Sequence, residues 1–300
     1  MDRKMTPTGP AGSDPEAAST PAGIYVHIPF CQKKCPYCSF VSYAGIKPQV
    51  RAGYIRALTR QALTMAGHPW SGTRKFHTLF IGGGTPSAVD PEQMAMFIAT
   101  CCKAFGIRGP NSAAEVSFEA NPNTVNAAML KQFRQAGVNR LSLGMQSFSD
   151  ALLKKIGRKH SVRQGIRAFD IARAAGFTNI NLDLMYGLPG QDVSTWKKSL
   201  DQALALGPEH LSVYELTVEP NTPFAELAAR GKLNLPSEDA ALAMLEHTRE
   251  VLAANGYGQY EISNYARRGF ACRHNINYWE NGSYVGLGAG AVSCFSGVRV

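Results

Sequence analysis

The sequence predicts an α/β chain whose parallel sheet, covered by helices, curls into a full or partial barrel. Strand-like and helix-like runs alternate six times between residues 24 and 236. Polar, Gly-rich and Pro-rich clusters follow the C-terminal ends of the strand-like runs, which is where barrel enzymes carry their active sites. A chain of 300 residues that is 45% hydrophobic also buries one large core and suits a single barrel. A flat doubly wound sheet has the same order of elements and is the alternative.

Residues 1–23 are rich in Pro, Ala, Ser, Thr and Gly and lack the apolar core of a secretory signal. They carry Asp14 and Glu16, which transit peptides avoid, so this stretch reads as a disordered leader on a cytoplasmic protein. The barrel core spans 24–236. Its first strand, 24–29, leads into a cysteine loop and then a helix through Tyr54, Ile55, Leu58 and Leu63. The second, 76–81, ends at Gly82-Gly-Gly-Thr-Pro86 and precedes a helix from 91 to about 105, a strand followed by a breaker cluster and a change of period. The third, 115–119, ends at Ala-Asn-Pro-Asn before a helix over 124–136. The fourth, 140–145, ends at Gln146-Ser-Phe, and the fifth, 179–185, at Tyr186-Gly-Leu-Pro-Gly-Gln191. The sixth, 210–216, runs into a polar, Pro-containing segment from Thr217. Residues 237–300 form an extension: a helix through Leu242, Met244, Leu245 and Val251, then an aromatic, Gly-rich tail.

The net charge of +9, from 31 basic and 22 acidic residues, is scattered along the chain. It suits weak attraction to anionic ligands or membrane surfaces and does not support nucleic-acid binding. The sequence has no apolar run of membrane-spanning length. Seven cysteines, an odd number with a tight triplet, point to metal chemistry in a reducing compartment. Cys101 and Cys102 fall in an apolar helix-like run and read as buried thiols; Cys272 and Cys294 have no assignment. The triplet is Cys31, Cys35 and Cys38, with no fourth cysteine nearby. A [4Fe-4S] cluster takes one protein ligand per iron, so three thiolates leave one iron open to a small molecule. A zinc staple normally needs four ligands, and the nearest histidine, His27, precedes the triplet on the strand.

The spacing Cys31-x3-Cys35-x2-Cys38, with Tyr37 before the last cysteine, resembles the cluster signature of radical S-adenosylmethionine (SAM) enzymes. The likeness extends to the oxygen-independent coproporphyrinogen oxidase group through six motifs in order. These are Tyr25-Val-His-Ile-Pro-Phe-Cys, Gly82-Gly-Gly-Thr-Pro-Ser, Ser117-Phe-Glu-Ala-Asn-Pro, Leu143-Gly-Met-Gln-Ser-Phe, Gly157-Arg-x-His160 and Asn181-Leu-Asp-Leu-Met-Tyr-Gly-Leu-Pro-Gly-Gln191. The resemblance implies a partial (β/α)6 barrel that binds a [4Fe-4S] cluster and SAM. Cys31, Cys35 and Cys38 would hold the cluster. Gly83, Gly84 and Thr85 would approach the amino-acid part of SAM through backbone; the plain alternative is a tight turn. Glu119 would accept from its ammonium and Arg158 would pair with its carboxylate, against the alternative of a surface ion pair. Gln146 and Asp183 stand at successive strand ends, Asp183 suiting ribose hydroxyls. Thr217 matches a family position near the adenine, and Tyr25 and Tyr37 would flank cluster and adenine, unless they simply pack.

One position departs from the oxidase pattern. A further cysteine stands two residues after the triplet in those enzymes, and here that position is Phe40. Members lacking it resemble the HemW-type heme chaperones, and the tail motif His274-Asn-Ile-Asn-Tyr278-Trp279, followed by Gly286-Leu-Gly-Ala-Gly-Ala291, resembles the same branch. The implied function is heme transfer to acceptor proteins, membrane-associated respiratory proteins among them. His274, Tyr278 and Trp279 are the heme candidates, with Cys272 a second possible thiolate ligand; the alternative is a structural corner, His and Asn capping a loop while Tyr278 and Trp279 fill the core. The competing reading is an enzyme: an oxygen-independent coproporphyrinogen III dehydrogenase, placed in doubt by Phe40, or a related radical SAM methyltransferase. The chain stops at Gly297-Val-Arg-Val300, where relatives usually continue into a smaller domain, so the C-terminal region is expected to be incomplete.

Overall fold

The computed structural model describes residues 21–107, 113–295 and 297–300. The expected leader therefore lies outside the described residues, apart from its last three positions. Two of those, Ala22 and Gly23, already belong to the first strand.

Six parallel strands form the centre of the sheet: β1 (Ala22–Ile28), β2 (Phe76–Gly83), β3 (Glu115–Ala120), β4 (Arg140–Gln146), β5 (Ile180–Tyr186) and β6 (His210–Glu215). Each is hydrogen-bonded to the next in sequence order. Side chains alternate across a strand, and here the alternation separates two chemistries. Ile24, Val26, Phe118, Leu141, Leu143, Leu182 and Leu184 are fully buried apolar residues of the main core. The intervening positions, including Glu119, Ser142, Asn181, Asp183 and Ser212, line cavities inside the barrel. Helices Pro91–Ala104, Ala127–Ala136, Val162–Ala174 and Val193–Leu206 complete the core with Phe97, Phe133, Phe169 and Trp196. Each starts at a side-chain cap: Asp90, Asn126, Ser161 and Asp192 accept from backbone N–H groups in the first turn, satisfying donors that the helix leaves unpaired. The expected helix over 124–136 begins only at Ala127, because Pro122–Thr124 makes a 3-10 turn and Asn126 is the cap.

The sheet does not close on itself, so the barrel is partial. Residues after 237 take part in both of its ends. Strand β7 (Asn264–Ala266) pairs antiparallel with β6, and β8 (Tyr284–Leu287) pairs parallel with β1. The extension read from the sequence is thus built into the barrel sheet. Its seventh parallel strand is too short and Gly-interrupted to show a strand period.

Candidate functional site

The cysteine loop leaves β1 and is tied at its base. Tyr43 N–H donates to Pro29 O at 2.8 Å, and Phe30–Cys31 pairs with Tyr43–Ala44. His27, pointing into the barrel, donates from Nε2 to Val41 O at 2.8 Å and accepts at Nδ1 from the Tyr25 hydroxyl at 2.9 Å. A carbonyl can only accept, so this pairing fixes the tautomer. The turn after β2 crosses underneath: Gly84 N–H donates to Ile28 O at 2.9 Å and Thr85 N–H to Phe30 O at 2.7 Å. A Cβ at residue 84 would stand 2.8 Å from Phe30 O, and one at residue 83, where φ is +109°, 2.7 Å from the His27 ring. These two glycines are therefore required by the chain crossing that supports the cysteine loop. Thr85 Oγ1 donates to Cys31 Sγ at 3.5 Å.

Above the strand ends lies a cavity of about 350 Å³. The three half-buried thiols stand on one side. Opposite them are Glu119 from β3, Gln146 from β4, Asp183 from β5 and Arg158. Arg158 is held before any ligand arrives: Nη2 donates to Asn121 Oδ1 at 2.6 Å and to Gly144 O at 2.7 Å, and Nη1 lies 4.0 Å from Cys35 Sγ. Asn121 in turn donates to Thr85 Oγ1 at 2.9 Å, linking the guanidinium to the cysteine loop. Asp183 accepts from Asn181 Nδ2 at 2.6 Å and from Ser142 Oγ at about 3.1 Å. Burial raises its pKa, and those bonds only partly offset the rise. Glu119 accepts from Gly83 N–H at 3.2 Å; burial, with Asp183 nearby, lifts its carboxyl to about 8. Gln146 adopts φ of 64°, uncommon for a residue with a side chain, and its Oε1 accepts from the Tyr214 hydroxyl at 2.6 Å.

Of the cofactor-binding residues expected from the sequence, Tyr37, Gly83, Gly84, Thr85, Glu119, Gln146, Arg158 and Asp183 line this cavity with the cysteines. Two do not. Tyr25 sits deeper in the barrel, and Thr217 is exposed beyond the end of β6. The sequence reading passed over Asn121, Tyr214, Lys33 and Lys34, which also line it. Asn121 belongs to the quoted Ser117–Pro122 motif, and Tyr214 follows from alternation with His210 and Ser212, so both carried a usable signal. Three thiols without a fourth ligand suit a cluster with one open iron.

A smaller chamber of about 160 Å³ lies within the barrel and shares Glu119 and Asp183 with the upper cavity. His274 borders it, only 1% exposed. Its Nδ1 pairs with Thr78 Oγ1 at 2.7 Å and its Nε2 with the Tyr278 hydroxyl at 2.9 Å. Burial depresses its pKa to about 3. Both ring nitrogens are thus engaged in hydrogen bonds. Tyr278 is partly exposed, and Trp279 is 53% exposed on the surface.

Residues 25–203 match the model of the radical SAM superfamily. The chain is 42% identical to the heme chaperone HemW of Bacillus subtilis over 275 residues, covering 92% of this chain and 71% of that protein. It is also 42% identical to HemW of Escherichia coli, covering 90% and 69%. The structure of coproporphyrinogen III oxidase (HemN) from Escherichia coli, a radical SAM enzyme, superposes with a TM-score of 0.78 at 27% identity, covering 94% of this chain and 67% of that one.

Proposed function

Because the chain belongs to the radical SAM superfamily and, within it, to the HemW family, we propose that it is a heme chaperone that binds a [4Fe-4S] cluster and SAM and passes heme to acceptor proteins. One observation carries the cofactor reading: three thiols without a fourth ligand face, across one cavity, a carboxyl and a guanidinium on separate elements. That pair complements the ammonium and carboxylate of an amino acid. Glu119 takes the ammonium and Arg158 the carboxylate, while Asp183 receives ribose hydroxyls. When bound, the cluster supplies an electron to the SAM sulfonium. The chain's part is positioning: Asn121 and Gly144 O fix the guanidinium, and the Thr85 hydroxyl supports Cys31.

Phe40, 65% exposed beside the cysteines, occupies the position of the oxidase group's further cysteine, which favours heme handling over porphyrinogen oxidation. The acceptors are heme-requiring proteins, membrane-associated respiratory proteins among them, and the chain works in the cytoplasm. No helix among the described residues is long and apolar enough to cross a membrane.

Anaerobic reconstitution followed by heme titration, with and without SAM, tests this reading. Iron and sulfide should be lost on Cys31→Ala, Cys35→Ala or Cys38→Ala, and heme should shift its Soret band on binding. A cluster indifferent to all three substitutions, or no heme binding at micromolar concentration, would sink it. Incubation with coproporphyrinogen III, SAM and a reductant addresses the enzyme alternatives: vinyl product would indicate the dehydrogenase, methylated product the methyltransferase.

A further inference from the structure

A buried arginine inside the barrel lacks a direct partner for its charge among the described residues. Arg140 opens β4, on the same inward face as Ser142, and borders the inner chamber of about 160 Å³. It is 2% exposed, its Nε has no hydrogen-bond partner, and it forms no ion pair among the described residues. The acids that face it are engaged elsewhere. Glu115 Oε1 accepts from Cys272 Sγ, Ser117 Oγ and the His274 N–H, each at 3.3 Å, and its Oε2 accepts from the Arg273 N–H at 3.0 Å. Asp183 is bound to Asn181 and Ser142, and the carboxyl of Glu119 is lifted to about 8. Burial keeps the Cys272 thiol and the Tyr260 phenol protonated and the His210 ring neutral. A buried charge is costly unless it is paired, so the chamber suits an anion that this chain's side chains do not supply.

We propose that this chamber binds the carboxylate of a short carbon chain, with Arg140 as its counter-ion. The inference goes beyond the heme-chaperone reading and does not depend on it. Size sets the ligand class: about 160 Å³ falls below the roughly 300–1,000 Å³ typical of pockets for larger ligands, which leaves room for a carboxylate and a few carbons. Shape selects the head group, since a planar guanidinium matches the two oxygens of a carboxylate. The walls suit both ends of such a chain. Ser212, Asn264 and Asn275 are polar lining residues, and Phe80, stacked on His274 at 5.2 Å and on Tyr25 at 6.3 Å, offers ring surface to the carbons. Register keeps the anion apart from Asp183. Asn181 lies beside Ser142, so the Asp183 backbone stands four positions above the level of Arg140, roughly 13 Å along the strands. Glu119 and Asp183 also border the upper cavity, so a chain longer than the chamber emerges there. A free short-chain acid and the carboxylate arm of a larger ligand share this chemistry.

The test follows thermal unfolding of the cluster-loaded chain, kept anaerobic at pH 7 and constant ionic strength, as sodium propionate replaces sodium chloride. Propionate should raise Tm saturably, by mass action on the folded state, and neutral propionamide should leave it unchanged. Arg140→Met, close in length and without charge, should need at least about tenfold more propionate for the same shift. Asn264→Asp guards against a misfolded Arg140 variant: it keeps an acceptor for Ser212 Oγ, brings a carboxylate into the chamber, and should weaken the propionate effect to a similar degree. A series from acetate to octanoate separates the two sources. Affinity that peaks at three or four carbons marks a free acid, whereas a continued rise of about fourfold per CH₂ group beyond that length marks the arm of a larger ligand. No saturable shift with propionate, an equal shift with propionamide, or an undiminished shift in either folded variant would overturn the site. None of these outcomes touches the heme titration, which tests the chaperone reading separately.

Discussion

Glu119 serves two opposed requirements. Its carboxyl is raised from 4.5 to about 8 by burial and by Asp183, so the folded chain keeps this proton to a higher pH than the unfolded chain does. Stability contributed by the proton is fully present below pH 4.5 and is lost as pH rises towards 8. Glu119→Gln, neutral at every pH, should flatten that loss and make the cofactor-free chain more stable at pH 8 by about 2–4 kcal/mol in urea unfolding. Ligand binding has the opposite sign, because an ammonium needs the carboxylate. SAM affinity should therefore rise by up to about tenfold per pH unit between pH 6.5 and 8 and level off above, and Glu119→Gln should abolish the slope. Arg158 poses a simpler test. A lysine cannot hold Asn121 Oδ1 and Gly144 O together while presenting a flat edge to a carboxylate. Arg158→Lys should weaken SAM binding by at least about tenfold, measured by equilibrium dialysis, with iron content unchanged. Both residues were legible as motif positions. Asn121, which orients Arg158 from 37 residues away, lies within the Ser117–Pro122 motif, but a strand-end Asn followed by Pro reads as turn chemistry and its tie to the arginine has no local signal.

At the scale of elements, the turn after β2 and the cysteine loop are one unit. Gly84→Ala would bring a methyl to 2.8 Å from Phe30 O, and backbone on both sides limits relief. It should cost about 1–3 kcal/mol and lower iron content after reconstitution. Gly53, inside the helix Pro48–Ala66, meets nothing nearer than 3.7 Å from a flexible arginine, and Gly53→Ala should stabilise by up to about 1 kcal/mol through helix propensity. The two substitutions are chemically identical, and thermal unfolding should give them opposite signs. His27 adds a test without touching a cluster ligand: His27→Ala frees Val41 O and should reduce cluster retention. The sequence identified the Gly-rich turn as a ligand-approach element or an ordinary turn. The structure adds a third role, support of the cysteine loop, which arises from the crossing of β1 and β2 and has no local pattern.

Across the whole molecule, the helix Glu238–Ala254 packs on the barrel while β7 and β8 extend its sheet at both ends. Trp196 in the barrel's own helix layer donates to Met244 O at 3.1 Å and to Thr248 Oγ1 at 3.0 Å. Residues 24–236 should consequently not persist as a stable fragment. Limited proteolysis near 237 should be slow and should not leave a folded barrel, and calorimetry of the chain should show one cooperative transition. A protease-resistant 24–236 core would contradict this.

What the sequence determined by itself was everything carried by local spacing: the cysteine triplet, the order of strands and breakers, the strand-end acids and the arginine, and the position of Phe40. Such features sit within a few residues of one another, and period and motif record them directly. Tertiary structure alone decided the saturation of His274 by Thr78, 196 residues distant, the pairing of β8 with β1, and the row that sets Cys294 beside Tyr284 and Arg299. Those partners are chosen by sheet register, and register is a property of which strands meet, which no single stretch of sequence contains.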